Sequence, residues 1–139
     1  MDPTFLTKMK SGSVLIGNVQ FLPGYCVLIA EPQVSDLTDL DPVCRAEFLT
    51  DMGLLGDAIM VACKPKRINY GILGNSSPIL HAHVFPRYEW EPEERCKHNV
   101  WTYPEECWVD AKHRFNETKH HALKQKLAET LKSLMEKSY

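Results

Sequence analysis

Two short apolar runs begin the hydrophobic pattern of this chain. Residues 13–17 and 25–30 are rich in Val, Leu and Ile, and Pro23-Gly24 between them is a turn signal, so we predict an antiparallel pair of strands. The second run is apolar almost throughout, which is typical of a central strand that is covered on both faces. Residues 1–10 have no clear period, and we assign no element to them.

A helical period follows Asp41 and Pro42. Asp is a favourable N-cap and Pro is favoured at the first helical position, so a helix should begin there and end near Lys64. Its apolar stripe, with alternating spacings of four and three residues, consists of Phe48, Met52, Leu55, Ile59 and Ala62. Burial of the four large stripe side chains is worth roughly 1.5 to 3 kcal/mol each, which exceeds the cost of about 1 kcal/mol for each of the two glycines in the helix. We therefore expect this helix to pack against the sheet.

A second hairpin pattern follows the helix. Residues 67–73 are typical of a strand, residues 74–78 of a polar hairpin loop, and residues 80–85 of the returning strand. Pro86 cannot donate a backbone hydrogen bond and should end the returning strand. Arg87 would then lie at the mouth of that strand, beside its histidines.

The last fifty residues have a mixed pattern. An irregular stretch holds Trp101, Tyr103 and Trp108, which form either a satellite hydrophobic cluster under a long loop or a surface for base stacking. Asn116 can then cap an amphipathic terminal helix whose leucines repeat at four, four and three residues.

Together these elements predict one α+β domain over residues 1–139, with its core at about 11–88 and a C-terminal extension at 89–139. The architecture is an antiparallel sheet with a long helix packed on it and a C-terminal helix. A chain of 139 residues that is 44% hydrophobic is long enough to bury a core of its own.

The charge balance and the cysteines narrow the class of protein. A net charge of −2 argues against a nucleic-acid partner, because such binding depends on clustered Lys and Arg. The five cysteines are an odd number without regular spacing, which favours free thiols and a cytoplasmic location. No apolar run reaches the roughly 18 to 20 residues of a membrane span, so we expect no membrane partner.

Two histidines stand two positions apart in the returning strand. Side chains alternate between the faces of a strand, so His81 and His83 should share one face, about 6.6 Å apart along the backbone. An unprotonated imidazole can attack phosphorus while its neighbour donates to a phosphoryl oxygen. Donors of the preceding loop, among them Asn75 and Ser76, would stabilise the developing negative charge. The pair therefore suits phosphoryl or nucleotidyl transfer, although two buried core histidines would be the commoner reason for such spacing.

The same pair could form half of a zinc site. Zinc needs three or four ligands. The side chains that could complete the site are Cys96, His98, Cys107 and His113. None of them has CxxC or HExxH spacing, and we expect no metal ligands in this chain.

Residues 69–87 resemble the signature of the histidine triad superfamily. In that family three histidines alternate with apolar residues along a strand, and Pro-Arg often follows them in the diadenosine polyphosphate hydrolase branch. Residues 22–29 resemble the family's Pro-Gly-His-Val-Leu-Val segment. The order of elements from about residue 11 to 88 also agrees, so the resemblance covers somewhat more than half of the chain.

The resemblance assigns unequal roles to the histidines. When the motif is matched backward from the Pro-Arg pair, His81 falls on the central, nucleophilic histidine and His83 on the last one. The first histidine is replaced by Ile79, which is expected on the same strand face. Losing one polar partner of the site leaves open a non-catalytic nucleotide-binding or regulatory module.

The resemblance also implies a reaction and its partners. The expected activity is nucleotide hydrolysis or nucleotidyl transfer at the α-phosphate of a dinucleoside polyphosphate or a nucleoside phosphoramidate, through a nucleotidyl-histidine intermediate. Asn75, Ser76 and Arg87 would contact the phosphate, and Asn18 lies within one residue of a ribose contact, with Gly17 as the alternative. No cofactor would be required, a divalent cation such as Mg²⁺ can accompany a polyphosphate substrate, and a homodimer is expected.

Overall fold

The computed structural model describes residues 2–139, and its centre is one antiparallel sheet of five strands. The strands are β1 (Phe5–Met9), β2 (Gly12–Ile16), β3 (Cys26–Ala30), β4 (Arg67–Gly71) and β5 (His81–Arg87). Their spatial order is β1-β2-β3-β5-β4. The helices are α1 (Pro42–Cys63), α2 (Glu93–Cys96), α3 (Glu105–Val109) and α4 (His121–Ser138). The predicted α+β architecture, with a long helix and a C-terminal helix, is confirmed.

β3 is the middle strand of the sheet, as predicted, but its two faces differ. Cys26, Leu28 and Ala30 are buried, whereas Val27 and Ile29 are only half-buried. Val27 pairs directly with His83 of β5, and Ile29 pairs with His81. The more open face of the sheet is therefore the one that holds the histidines.

β1 lies where no element was predicted. It pairs antiparallel with β2 across a tight turn and also packs against α4. In this five-residue strand Phe5 and Lys8 are exposed while Leu6, Thr7 and Met9 are buried, so burial does not alternate along it. Its conformation depends on the partner strand and on the distant helix.

α1 begins and ends where the sequence indicates. The Asp41 carboxylate accepts a hydrogen bond from the Cys44 backbone N–H at 2.8 Å, which is the N-cap interaction expected of this residue. The chain leaves the helix at Lys64, which adopts the left-handed conformation with φ of 52°. All five stripe residues contact the core, with Met52 half-buried and the other four buried.

Two predicted boundaries are wrong. β5 continues through Pro86 to Arg87, because Pro86 lies past the end of the pairing with β3 and is paired by β4 alone, an arrangement that tolerates proline. α4 begins at His121 rather than directly after Asn116, whose side chain instead accepts from the Lys119 backbone N–H in the preceding turn.

Two hydrophobic clusters lie on opposite faces of the sheet. The main cluster joins α1 and α4 to the sheet, and it draws on residues outside the predicted core region, including Leu6, Met9, Leu127 and Leu131. The second cluster covers the histidine face around Tyr25 and Phe85, and Tyr103 and Trp108 pack on it, which confirms a satellite cluster under the long loop. In residues 2–139 there is no helix with both the length and the apolar character that crossing a membrane requires.

Candidate functional site

β5 presents its two faces to different environments. Ala82 and Val84 are fully buried in the main cluster, while His81 and His83 stand half-buried on the opposite face. The imidazole centroids are 4.8 Å apart with an interplanar angle of 77°. The prediction that both histidines share one face is confirmed.

A cavity of about 420 Å³ contains both histidines. Its other walls come from the β4–β5 loop and from one aromatic side chain, and the lining residues are Leu73, Gly74, Asn75, Ser76, Ser77 and Trp101. Gly74 has a φ of +76°, a left-handed conformation that a glycine adopts without strain and that turns the loop toward the histidines. The structure therefore brings together His81, His83, Asn75 and Ser76.

The hydrogen bond of His81 determines which of its nitrogens is reactive. Its Nδ1 lies 2.6 Å from the carbonyl oxygen of Ile79, and a carbonyl only accepts, so Nδ1 carries the proton. When the ring is neutral, its lone pair is therefore on Nε2. Ile79 itself lies before β5 rather than on the strand face, which corrects the expected position of its side chain: it contributes a backbone carbonyl.

His83 is held by a tyrosine in the opposite tautomer. The Tyr25 hydroxyl lies 2.7 Å from His83 Nδ1, and burial raises the pKa of Tyr25, so the hydroxyl keeps its proton and donates it. Burial, and secondly the charge of His81, lower the pKa of His83 to about 4. The ring is therefore neutral at pH 7, with its own N–H on Nε2.

Tyr25 is a site residue that the sequence reasoning missed. A signal existed, because Tyr25 occupies the place of the histidine in the Pro-Gly-His segment that residues 22–29 resemble. The Tyr25 ring can occupy this position only because residue 17 is a glycine, since a Cβ at Gly17 would lie 2.1 Å from the ring. The ring also stacks on Phe85 with centroids 3.9 Å apart, which fixes the hydroxyl against His83.

Trp101, for which the sequence offered either a satellite cluster or a base-stacking surface, lies against the histidine pair. Its ring makes an edge-to-face contact with His83 at a centroid distance of 5.1 Å, and it stacks on Trp108 at 5.3 Å. Neither its spacing in the sequence nor its neighbours in the chain indicate a position over β5. Only the path of the long loop places it there.

Arg87 is not beside the histidines, so the expected placement is wrong. Its guanidinium donates to the Glu91 carboxylate, the Asn69 side chain and the carbonyls of Arg95 and His98. These contacts use all five of its N–H groups. The residue lines a separate cavity, and no donor of its side chain is left for a phosphate.

Asn18 is also outside the histidine cavity. Its side chain is exposed, and its carbonyl accepts a hydrogen bond from the Phe115 backbone N–H. The side chains proposed for zinc do not converge either: among residues 2–139, no group of three or more His, Cys, Asp or Glu could hold a metal ion.

The arrangement at β5 pairs an unprotonated nitrogen with an N–H donor. His81 offers the Nε2 lone pair of a nucleophile, and His83 offers a neutral N–H 4.8 Å away between ring centroids. Loop donors at Asn75 and Ser76 line the same cavity. Such a site can attack an electrophilic phosphorus and hold its oxygens.

Solved structures with this fold share a family description. A histidine triad protein from Sinorhizobium meliloti superposes with a TM-score of 0.72 at 22% identity, covering 91% of this chain and 87% of that one. A histidine triad protein from Marinobacter aquaeolei gives a TM-score of 0.72 at 23% identity, covering 94% and 89%. The fold is that of histidine triad proteins.

A more distant likeness extends to a named enzyme. The diadenosine triphosphate hydrolase of Plasmodium falciparum, solved with cyclomarin A, gives a TM-score of 0.60 at 12% identity and covers 99% of this chain and 80% of that one. No family model and no curated protein matches the sequence. The histidine triad fold is thus established by structure, over nearly the whole chain.

Proposed function

We propose that this protein is a histidine triad nucleotide hydrolase or nucleotidyl transferase. The observation that carries the proposal is the 2.6 Å hydrogen bond from His81 Nδ1 to the Ile79 carbonyl, which leaves Nε2 free for attack. The proposed substrates are dinucleoside polyphosphates or nucleoside phosphoramidates. The fold, which is shared with a diadenosine triphosphate hydrolase, supports this substrate class.

The proposed reaction has two displacements at the α-phosphorus. His81 Nε2 bonds to the phosphorus as the bond to the leaving oxygen or nitrogen breaks, and the leaving group takes the electron pair. Water then attacks the same phosphorus, the P–N bond breaks, and a nucleoside monophosphate leaves with His81 regenerated. His83 donates from Nε2–H to a phosphoryl oxygen, and Asn75 and Ser76 bind the phosphate.

The replacement of the first histidine by Ile79 favours a second candidate, a nucleotide-binding module without turnover. Incubation of the protein with a dinucleoside polyphosphate separates the two candidates. The hydrolase should release a mononucleotide, and His81→Ala should abolish the release while a matched His98→Ala, at an exposed position, should not. Saturable binding of AMP with no product in the wild type would instead support the binding module, and equal turnover in His81→Ala would contradict the nucleophile.

We also propose the cofactor requirement, the partners and the location of this protein. We expect no resident cofactor, with Mg²⁺ entering together with the polyphosphate chain of the substrate, no nucleic-acid partner, and a cytoplasmic location. The contacts of Arg87 and Asn18 do not support phosphate or ribose binding by these two residues.

We also propose a homodimer, for which the outer side of α1 offers support. Val43, Leu54 and Val61 are separated by eleven and seven residues, so they share one helical face, on which Val43 and Val61 are exposed and Leu54 is half-buried at the edge of the main cluster. Val43 is 69% and Val61 57% exposed. The same side carries β4, a sheet edge whose Tyr70 is 45% exposed, and a groove of about 860 Å³ that contains none of the histidines.

A further inference from the structure

Trp101 is a large apolar side chain that stays 45% exposed although it touches three other rings. Stacking on Trp108 and edge-to-face contacts with His83 and Phe85 fix its orientation. It lines the histidine cavity together with Leu73, which is 52% exposed. Two exposed apolar side chains therefore border a pocket whose other walls carry imidazoles, an amide and hydroxyls.

The backbone around Trp101 is held firmly, so its exposure does not result from a loose loop. The Asn99 side chain accepts from the Trp101 backbone N–H at 3.0 Å, and the Thr102 hydroxyl donates to the Asn99 carbonyl at 2.8 Å. Arg95 donates to the Thr102 carbonyl. The indole is thus preorganised in the open position before any ligand arrives.

The chemistry of the cavity matches two parts of one ligand. Its volume of about 420 Å³ falls in the range of small-molecule sites. The polar walls suit a phosphate, and the apolar border suits a flat ring. Because every base has a π-face, stacking on an aromatic side chain selects for the presence of a base rather than for its identity.

We propose that Trp101 is the surface on which the nucleobase of the bound nucleotide stacks, beside the phosphate held at the histidines. This inference rests on the proposed function and specifies its recognition step. It makes Trp101 a specificity-determining residue that favours nucleotides over sugar phosphates without discriminating strongly between bases.

The test compares AMP with ribose 5-phosphate, which keeps the phosphate and sugar but lacks the base. Calorimetric titration of the intact chain should show that Trp101→Leu, which keeps apolar bulk without a π-face, weakens AMP binding about 5- to 150-fold. Binding of ribose 5-phosphate should be nearly unchanged. Trp101→Phe, which retains a π-face, should keep most of the AMP affinity.

Trp90 provides the matched control. It is 60% exposed and stacks on Tyr88 outside the histidine cavity, so Trp90→Leu should leave both affinities unchanged. Equal AMP binding by the wild type and Trp101→Leu, or an equal loss for AMP and ribose 5-phosphate, would overturn the stacking inference while the proposed nucleotide site stands. If the wild type binds neither ligand and hydrolyses no dinucleoside polyphosphate, the proposed function fails and the inference fails with it.

Discussion

Two identical side chains on one strand face are given different chemistry by their neighbours. His81 donates from Nδ1 to a backbone carbonyl, whereas His83 accepts at Nδ1 from the Tyr25 hydroxyl. The pair therefore exposes one lone pair and one N–H through its two Nε2 atoms. A carbonyl cannot donate and a tyrosine of raised pKa does not give up its proton, so each partner allows only one tautomer at neutral pH.

The tyrosine contact is tested by Tyr25→Phe. Removing the hydroxyl leaves His83 Nδ1 without its donor, so we expect unfolding free energy to fall by about 0.5 to 1.5 kcal/mol. The His83 ring should then populate both tautomers, which nitrogen NMR of the imidazole detects. Tyr70→Phe is the control, since Tyr70 lies on β4 beside a different groove; an unchanged His83 spectrum in Tyr25→Phe would contradict the assignment.

The depressed pKa of His83 predicts a pH dependence of stability. Its pKa falls from 6.5 to about 4 on folding, so between those values the unfolded chain binds a proton that the native site excludes. Stability from this group is complete above about pH 6.5 and decreases as the pH falls toward 4. Thermal unfolding should show a smaller acid-side decrease in Tm for His83→Gln than for the wild type, while the exposed His121→Gln follows the wild type. Identical slopes in all three proteins would contradict the prediction.

At the scale of elements, the loop after β5 is organised by a buried ion pair. The side chains of Arg87 and Glu91 are 6% and 0% exposed, and their nearest atoms are 2.8 Å apart. Burial acts to raise the pKa of Glu91, but hydrogen bonds from Arg87 and Tyr103 outweigh it and lower the pKa. Because Arg87 also binds the carbonyls of Arg95 and His98, this pair fixes the loop that carries Trp101.

Arg87→Leu should therefore lower the stability of the fold. It leaves a buried carboxylate without its partner, which costs about 3 to 5 kcal/mol of unfolding free energy. Lys112→Met is the matched control, because its exposed ion pair with Asp110 at 3.9 Å should be worth less than about 1 kcal/mol. Urea unfolding measures the loss of unfolding free energy in each of the two variants. Equal, small losses in the two variants would show that the buried network does not stabilise the loop.

At the scale of the whole molecule, the sheet separates two surfaces. The histidine face is covered by the second cluster and the loop of Trp101, and the opposite face by α1 and α4. The apolar outer side of α1 and the edge of β4 remain exposed. Exposed apolar residues of this kind mark a surface for association, here proposed to be with a second copy.

The dimer proposal predicts the effect of a charge on this surface. Val61→Lys places a charge among the exposed apolar residues of α1 and should shift the protein to a monomer in sedimentation experiments. Val109→Lys is matched in exposure, since both valines are 57% exposed, but lies on α3 and should leave the mass unchanged. A wild-type monomer, or a Val61→Lys dimer of unchanged affinity, would contradict the proposal.

Local patterns determined much of this protein. The period of α1, its Asp41 cap and the alternation along β5 are properties of neighbouring residues, so the elements and the shared face of His81 and His83 could be predicted from sequence. The donor-rich loop was predictable for the same reason, since Asn75 and Ser76 lie only a few residues before the strand. Such features depend on backbone geometry over a few positions.

The tertiary structure alone decided which distant groups complete the site. Tyr25 meets His83 across 58 positions of sequence, and Trp101 reaches it by a loop whose course depends on the buried Arg87–Glu91 pair. The same pair holds Arg87 outside the histidine cavity, although its place in the sequence suggested a contact there. Contacts between remote residues are selected by burial and by the satisfaction of buried polar groups, and these conditions exist only once the whole chain has folded.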